Sequence, residues 1–200
     1  LRTAAELAAC CTTLEALRAA IADFEGCALK TPVANTVFAD GVPAAPVMVI
    51  GEAPGIEEDR QGLPFVGPSG RLLDRMLESI GLERHRNCYI TNVVPWRPPA
   101  NRKPMPAEVS ALLPFLERHI VLVNPQILLL VGGLAASVVL ARNEGIMRLR
   151  GQWLEYSAGL PRPIPAIATF HPAYLLRSPA QKRLAWRDLL ALKQRLESLP

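Results

Sequence analysis

The stretch Pro46-Val47-Met48-Val49-Ile50-Gly51 decides the fold. It is short, apolar without interruption, rich in β-branched residues and stopped by a glycine, the pattern of a strand buried on both faces. Strands of that kind belong to parallel sheets, and the pattern returns at Cys88 to Val94, Gln126 to Val131 and Ile164 to Phe170. Amphipathic segments lie between them. Ser69 to Ile80 puts Leu72, Leu73, Met76, Leu77 and Ile80 on one face, and Pro106 to Val123 does the same with Val109, Leu112, Leu113, Leu116 and Ile120. The spacing predicts an N-terminal helix over about 3–22, capped by Thr3. It predicts another over Ala180 to Leu199, where Ala185, Leu189, Leu192 and Leu196 form a stripe beside Trp186 and Leu190. Strands alternating with helices imply right-handed βαβ crossovers. The expected architecture is α/β: a three-layer α/β/α sandwich with a central four-stranded parallel sheet, plus a short edge strand within Gly151 to Tyr156.

Composition narrows the class. With 200 residues, 50% of them hydrophobic, one domain spanning 1–200 is expected. A charged fraction of 20% argues against disorder, and the longest apolar runs are too short to span a bilayer. No basic stretch followed by an apolar one opens the chain, since Glu6 and Glu15 interrupt its Ala/Leu pattern, so the cytoplasm is the expected compartment. The four cysteines, Cys10, Cys11, Cys27 and Cys88, form no C-x-x-C pair, which favours reduced thiols. Charge is unevenly distributed: residues 1–96 carry 8 Lys/Arg against 12 Asp/Glu, whereas residues 97–200 carry 14 against 6. The second half suits a polyanion, with solubility alone as the plainer explanation.

Ligands of open parallel sheets bind beyond the carboxyl ends of the strands. Here those positions read Gly51-Glu52-Ala53-Pro54-Gly55, Asn92, Gly132-Gly133 and His171-Pro172-Ala173-Tyr174. A carboxylate, an amide, a bare backbone turn and an imidazole therefore share one rim. The same stretches lack a G-x-G-x-x-G fingerprint, a G-x-x-x-x-G-K-[ST] loop and a G-x-S-x-G elbow. With three histidines, His85 and His119 lying in charged helical or turn contexts, ligands for a catalytic zinc are too few.

Several motifs occur in a fixed order: Gly51-Glu52-Ala53-Pro54-Gly55-Ile56-Glu57-Glu58-Asp59, then Gly62-Leu63-Pro64-Phe65-Val66-Gly67-Pro68-Ser69-Gly70. Ile90-Thr91-Asn92 follows, leading to Arg97-Pro98-Pro99-Ala100-Asn101-Arg102, and finally Phe170-His171-Pro172-Ala173-Tyr174-Leu175-Leu176-Arg177. In this series the chain, from about Phe24 to its last helix, resembles the family 4 uracil-DNA glycosylases. The resemblance implies a monofunctional enzyme that flips uracil out of single- or double-stranded DNA and hydrolyses its N-glycosidic bond. Free uracil and an abasic site would result, the first step of base-excision repair. It further implies a monomer, associated with the nucleoid through its DNA. Such enzymes carry a four-cysteine iron–sulfur cluster, and the motifs place its ligands at Phe24, Cys27, Trp96 and Leu112. Three of those are not cysteine, and a cluster is typically held by four thiolates, so neither cluster nor other metal is expected. Arg97 to Pro104 contains no histidine, so the covalent DNA trapping of some relatives is not expected either.

Chemistry assigns roles within the resemblance. Phe65 suits stacking on an extruded ring, its alternative being a core plug. The Asn92 amide can both donate and accept, matching O4 and N3–H of uracil, its alternative being a turn-forming asparagine. His171, as a neutral imidazole, would donate to uracil O2, where charge builds as the bond breaks. The base pocket is thus expected from Gly51, Glu52, Ala53, Glu58, Phe65, Asn92 and His171, with His171, Glu52 and Asn92 catalytic. Ala53 stands where better-known superfamily branches have an aspartate, leaving Glu52, or Glu58 and Asp59 from the sugar side, for the attacking water. DNA contacts are expected from Gly67, Ser69, Gly70, Arg97, Asn101, Arg102 and Gly133, and from Tyr174, Leu175 and Arg177 in a minor-groove loop. Leu175 and Leu176 have ordinary core packing as their alternative. A non-catalytic damaged-DNA or single-strand-binding module on the same fold is the competing function, and binding of RNA or another polyanion a third.

Overall fold

The four apolar runs form strands because their side chains alternate between two helical layers, each of which removes them from water. A computed structural model describes residues 2–199. Its strands are β1 (Asp40–Gly41), β2 (Val47–Gly51), β3 (Cys88–Asn92), β4 (Ile127–Val131), β5 (Trp153–Tyr156) and β6 (Ile164–Thr169). The helices are α1 (Ala4–Cys10), α2 (Leu14–Asp23), α3 (Ile56–Gln61), α4 (Pro68–Glu78), α5 (Pro106–Val123), α6 (Gly133–Leu140), α7 (Ile146–Leu149), α8 (Pro172–Arg177) and α9 (Lys182–Glu197). Met48, Ile50, Tyr89, Leu128 and Leu130 face a core shared with α1, α2, α5 and α6. Val47, Val49, Ile90, Ile127 and Leu129 face the other, shared with α4, α8 and α9. The period-two partition makes this the expected three-layer sandwich.

The sheet order is β1-β3-β2-β4-β6-β5. The four central strands pair in parallel, as expected, but the sheet is six-stranded because β1 and β5 add antiparallel edges. The edge at Trp153–Tyr156 falls within the predicted stretch, whereas two-residue β1 carries no hydrophobic pattern to betray it. From β2 the chain moves to β3 on one side, while β4 lies on the other, so the direction of winding reverses between β2 and β4. Ligand crevices open at such switch points.

The single N-terminal helix expected over about 3–22 is two helices. Thr3 caps α1 by accepting from Glu6 N, and Thr13 caps α2 by accepting from Ala16 N. Cys11, in extended conformation, breaks the helix between them, and the seven-residue step from Leu7 to Leu14 concealed the break by keeping the apolar face in register. His119, read as lying in a charged helical or turn context, is buried on α5, where Tyr89 Oη meets its Nε2 at 2.7 Å and Phe38 stacks on it at 4.4 Å. Burial pushes its pKa down to about 3 and keeps it neutral.

Candidate active site

The rim is assembled from four strand ends by close backbone approach. A Cβ on Gly51 would collide with the Phe65 ring and with Asn92 Oδ1, so a bare residue here lets both groups lie against the end of β2. Across the switch crevice, a Cβ on Gly132 would meet Glu52 Oε1 and the His171 Cβ. Gly132 has φ +108°, a left-handed value that also favours glycine. The Phe65 and His171 rings stand 5.8 Å apart between centroids, tilted by 31°. Gly51, Glu52, Phe65, Asn92 and His171 are thus brought together as expected. Ala53, half-buried beside them, offers only a methyl group.

Two polar groups there are poised rather than satisfied. Asn92 Oδ1, at the buried end of β3, has no hydrogen-bond partner among the described residues. Buried polar atoms are overwhelmingly paired, so an orphan acceptor beside an aromatic ring points to a ligand. Among the described residues this oxygen makes no Asx bond. His171 caps α8: its Nδ1 accepts from Ala173 N at 3.0 Å, which leaves Nε2 to carry the proton as donor. Burial, reinforced by Arg177, lowers the imidazole pKa below the usual histidine value against the opposing pull of Glu52 and Glu58. Glu52 Oε1 accepts from Leu134 N, 3.1 Å away at the start of α6; its second oxygen has no protein donor among the described residues.

Other expectations are redirected. Glu58, expected near the base or sugar, accepts from three backbone amides: Gly55 at 3.2 Å, Val66 at 3.0 Å and Gly67 at 2.9 Å. It organises the Phe65 loop. Asp59 is tied to Asn35, accepting from its backbone N at 3.0 Å. Gly70, expected to contact DNA, is buried because the Phe65 carbonyl lies where its side chain would be, and the Gly67 amide is occupied by Glu58. Ser69 and Gly133 remain half-buried near the rim, each in the first turn of a helix. Arg102, expected to contact DNA, forks onto Glu108 at 2.6 and 2.9 Å, and Glu108 in turn accepts from Met105 N at the start of α5, so this guanidinium is already engaged in the fold. Arg97 is half-buried and donates to exposed Asn101 at 2.7 Å. In α8 the turn of the helix buries Leu175 in the core and presents Leu176, 45% exposed, with Arg177 outward. Tyr174 packs on Phe170 at 5.0 Å. Leu175 is therefore corrected to a core residue.

Sequence reasoning missed two supports. Asp188 on α9, buried, accepts from Thr169 Oγ1 at 2.8 Å and from Arg150 Nη2 at 2.6 Å, and so ties down the end of β6, two residues before His171. Arg84 holds the carbonyls of Pro64 and Phe65. Neither lies in a motif, and no local pattern reveals partners 19 or more residues away.

The four positions aligned with cluster ligands all fall in one apolar core. Phe24 meets Phe115 edge-on at 5.1 Å, Trp96 is fully buried with Nε1 donating to Thr36 at 3.1 Å, and Leu112 is buried beside the same layer. Cys27 is the one thiol among the four, and burial raises its pKa, the reverse of what a metal thiolate needs. Among the described residues no group of three or more His, Cys, Asp or Glu is placed to hold a metal. This donor set does not fit an iron–sulfur cluster.

Fold and rim together define a class. Residues 38–190 match the Uracil DNA glycosylase superfamily, and the chain belongs to it. Within the superfamily its place is the type-4 group. A Type-4 uracil-DNA glycosylase of Sulfurisphaera tokodaii is 33% identical over 187 residues, 91% of this chain and 84% of that protein. One from Thermotoga maritima is 36% identical over 166 residues, covering 82% and 84%. Another from Archaeoglobus fulgidus is 38% identical over 157 residues, covering 76% and 78%.

Proposed function

We propose that this chain is a monofunctional DNA glycosylase that hydrolyses the N-glycosidic bond of uracil in single- and double-stranded DNA. The observation that carries the reading is an unpartnered buried acceptor, Asn92 Oδ1, and an imidazole whose Nε2 is left as donor, both beside the Phe65 ring. A base inside a duplex is out of reach, so the nucleotide is extruded into this space. Phe65 stacks on the ring, and the Asn92 amide pairs with O4 and N3–H; cytosine presents the reverse polarity at both positions.

As the C1′–N1 bond breaks, its electron pair moves onto uracil N1 and O2, where the His171 Nε2–H stabilises the charge. A donor of this kind is typically worth about 3–4 kcal/mol. A neutral imidazole suits the task, because its Nδ1 is already engaged and its burial disfavours a second proton. The free oxygen of Glu52 orients the water that adds to C1′ and receives its proton, leaving an abasic sugar and a uracil anion; the anion takes up a proton from solvent on release, and Glu52 returns its proton to solvent. An oxocarbenium-like centre needs a positioned water more than a strong base, so the methyl group at Ala53 is tolerated. Ser69, Gly133, Arg97, Asn101 and Arg177 supply phosphate contacts, and Leu176 takes the place left by the flipped base. The monomer works without an iron–sulfur cluster, in the compartment that holds chromosomal DNA. Among the described residues no helix is long and apolar enough to cross a membrane.

The test is uracil release from single- and double-stranded oligonucleotides, with strand scission appearing only after alkali. Tight binding without release would instead establish the non-catalytic module. Purified protein is expected to be colourless, and iron in stoichiometric amount would overturn the cluster-free reading.

A further inference from the structure

Phe65 occupies a conformation that its residue type disfavours. Its φ is +53°, in the left-handed region where a bulky side chain is an outlier of order 1 kcal/mol or more. Such a residue persists only when its surroundings over-determine it, and the groups doing so are on either side of one peptide unit. The carbonyl of Phe65 accepts from Arg84 Nη2 at 2.5 Å, and the amide of the next residue, Val66, donates to Glu58 Oε1 at 3.0 Å. Arg84 Nη1 also donates to the Pro64 carbonyl at 2.6 Å. The guanidinium, its side chain 9% exposed in the turn before β3, is held in turn by Asp74 at 3.1 Å and Asp40 at 3.2 Å. Gly70 completes the seat by leaving room for the Phe65 carbonyl.

We propose that Arg84 is a positioning residue for base recognition: its fork on the Pro64 and Phe65 carbonyls sets the Phe65 ring beside Asn92 and His171 before DNA arrives. The inference rests on the reading of Phe65 as the stacking platform. Its chemistry requires the planar five-donor guanidinium, because a lysine ammonium is a point charge that cannot hold two carbonyls and two carboxylates in one fixed plane. Pre-setting the ring removes an ordering step from binding, so the benefit is confined to events in which a base meets Phe65.

A double-mutant cycle tests this. Arg84→Lys is expected to lower kcat/KM for uracil release about tenfold, and to weaken inhibition by free uracil to a similar extent. Affinity for abasic-site DNA, which presents no base to the ring, should change less than about twofold. In a Phe65→Leu background the same Arg84→Lys substitution should add less than about twofold to the loss. Full multiplication of the two losses, or equal weakening of abasic-site binding, would show that Arg84 only supports the fold and would overturn the proposal. So would an unchanged rate in Arg84→Lys. Should that variant fail to fold, Arg84→Met in an Asp40→Asn/Asp74→Asn parent replaces it, since no carboxylate is then left unpaired. The parent is its baseline. A wild-type protein that releases no uracil would bring down the functional reading and this inference together; an active wild type with multiplying losses would bring down the inference alone.

Discussion

The rim at the ends of β2, β3, β4 and β6 and the wall that holds Phe24, Cys27, Trp96 and Leu112 are built on opposite terms. At the rim, small residues allow polar groups to converge and some are left without partners, as at Asn92 Oδ1 and His171 Nε2. At the wall, apolar side chains fill the volume and the polar atoms of Trp96 and Glu108 are paired. The difference teaches where change is tolerated. On the proposed function, a wall that works by volume accepts aromatic and aliphatic groups in place of thiols without touching the chemistry, whereas a rim that works by unsatisfied groups cannot lose one.

The contrast can be broken most forcefully at the rim. His171→Ala is expected to slow uracil release about a thousandfold, roughly 4 kcal/mol of transition-state stabilisation, and Asn92→Ala to have an effect of the same order. The thermal midpoint of both should stay near that of the wild type. A large fall in stability together with activity, seen by melting and release assays on the same samples, would erase the distinction between the regions. The wall should show the converse. Trp96→Ala removes a fully buried indole and should cost about 3–4 kcal/mol of stability, read as a lower urea midpoint, while the rate per folded molecule is kept. Activity lost without stability would mean that the wall takes part in the chemistry.

Between the two lies the buried pair that ties β6 to α9. Asp188→Asn leaves Arg150, 16% exposed, without its carboxylate and should cost about 2–3 kcal/mol. Because Thr169 lies two residues before His171, part of that loss should also appear in the rate. The smallest effect is one of pH. His119 is neutral in the fold, its pKa near 3 against 6.5 unfolded, so the unfolded chain takes up the proton first as pH falls. Its contribution is complete above about pH 6.5 and declines below, by about 1.4 kcal/mol at pH 5.5. His171, shifted in the same direction, steepens the decline. Urea midpoints at pH 7.5 and 5.5 should therefore differ less in His119→Asn than in the wild type, and an equal slope would mean that His119 is charged in the fold.

Much of this plan was legible in advance, for identifiable reasons. The strands around Ile50, Ile90, Leu129 and Ile167 announce themselves because burial on both faces demands unbroken apolar runs. Gly51, Asn92 and His171 could be singled out because each follows such a run, where a parallel sheet leaves its ligand crevice. Glu58 and Asp59 could not be told from any acidic first turn, since their partners are backbone amides and an asparagine 24 residues away. Leu175 and Leu176 are adjacent and identical, and only the rotation of α8 on the core decides which one meets solvent. The non-cysteine residues at the positions aligned with cluster ligands, Phe24, Trp96 and Leu112, were identifiable by comparison of motifs, but their particular partners, Phe115 at Phe24 and Thr36 at Trp96, were not.

The amino-acid sequence by itself determined the layered α/β/α plan, the polar residues at the strand ends and the lack of cysteine at three of the four aligned positions, because periodicity and residue type are local properties. Tertiary structure alone decided which polar groups serve the backbone and which are left without a partner among the described residues. Arg84, Glu58 and Arg102 are tied into the fold only when carbonyls, amides and a carboxylate from other segments reach them, and Asn92 Oδ1 has no partner among the described residues only because the fold brings it none. A hydrogen bond depends on where two groups end up in space, which the order of residues along the chain does not state.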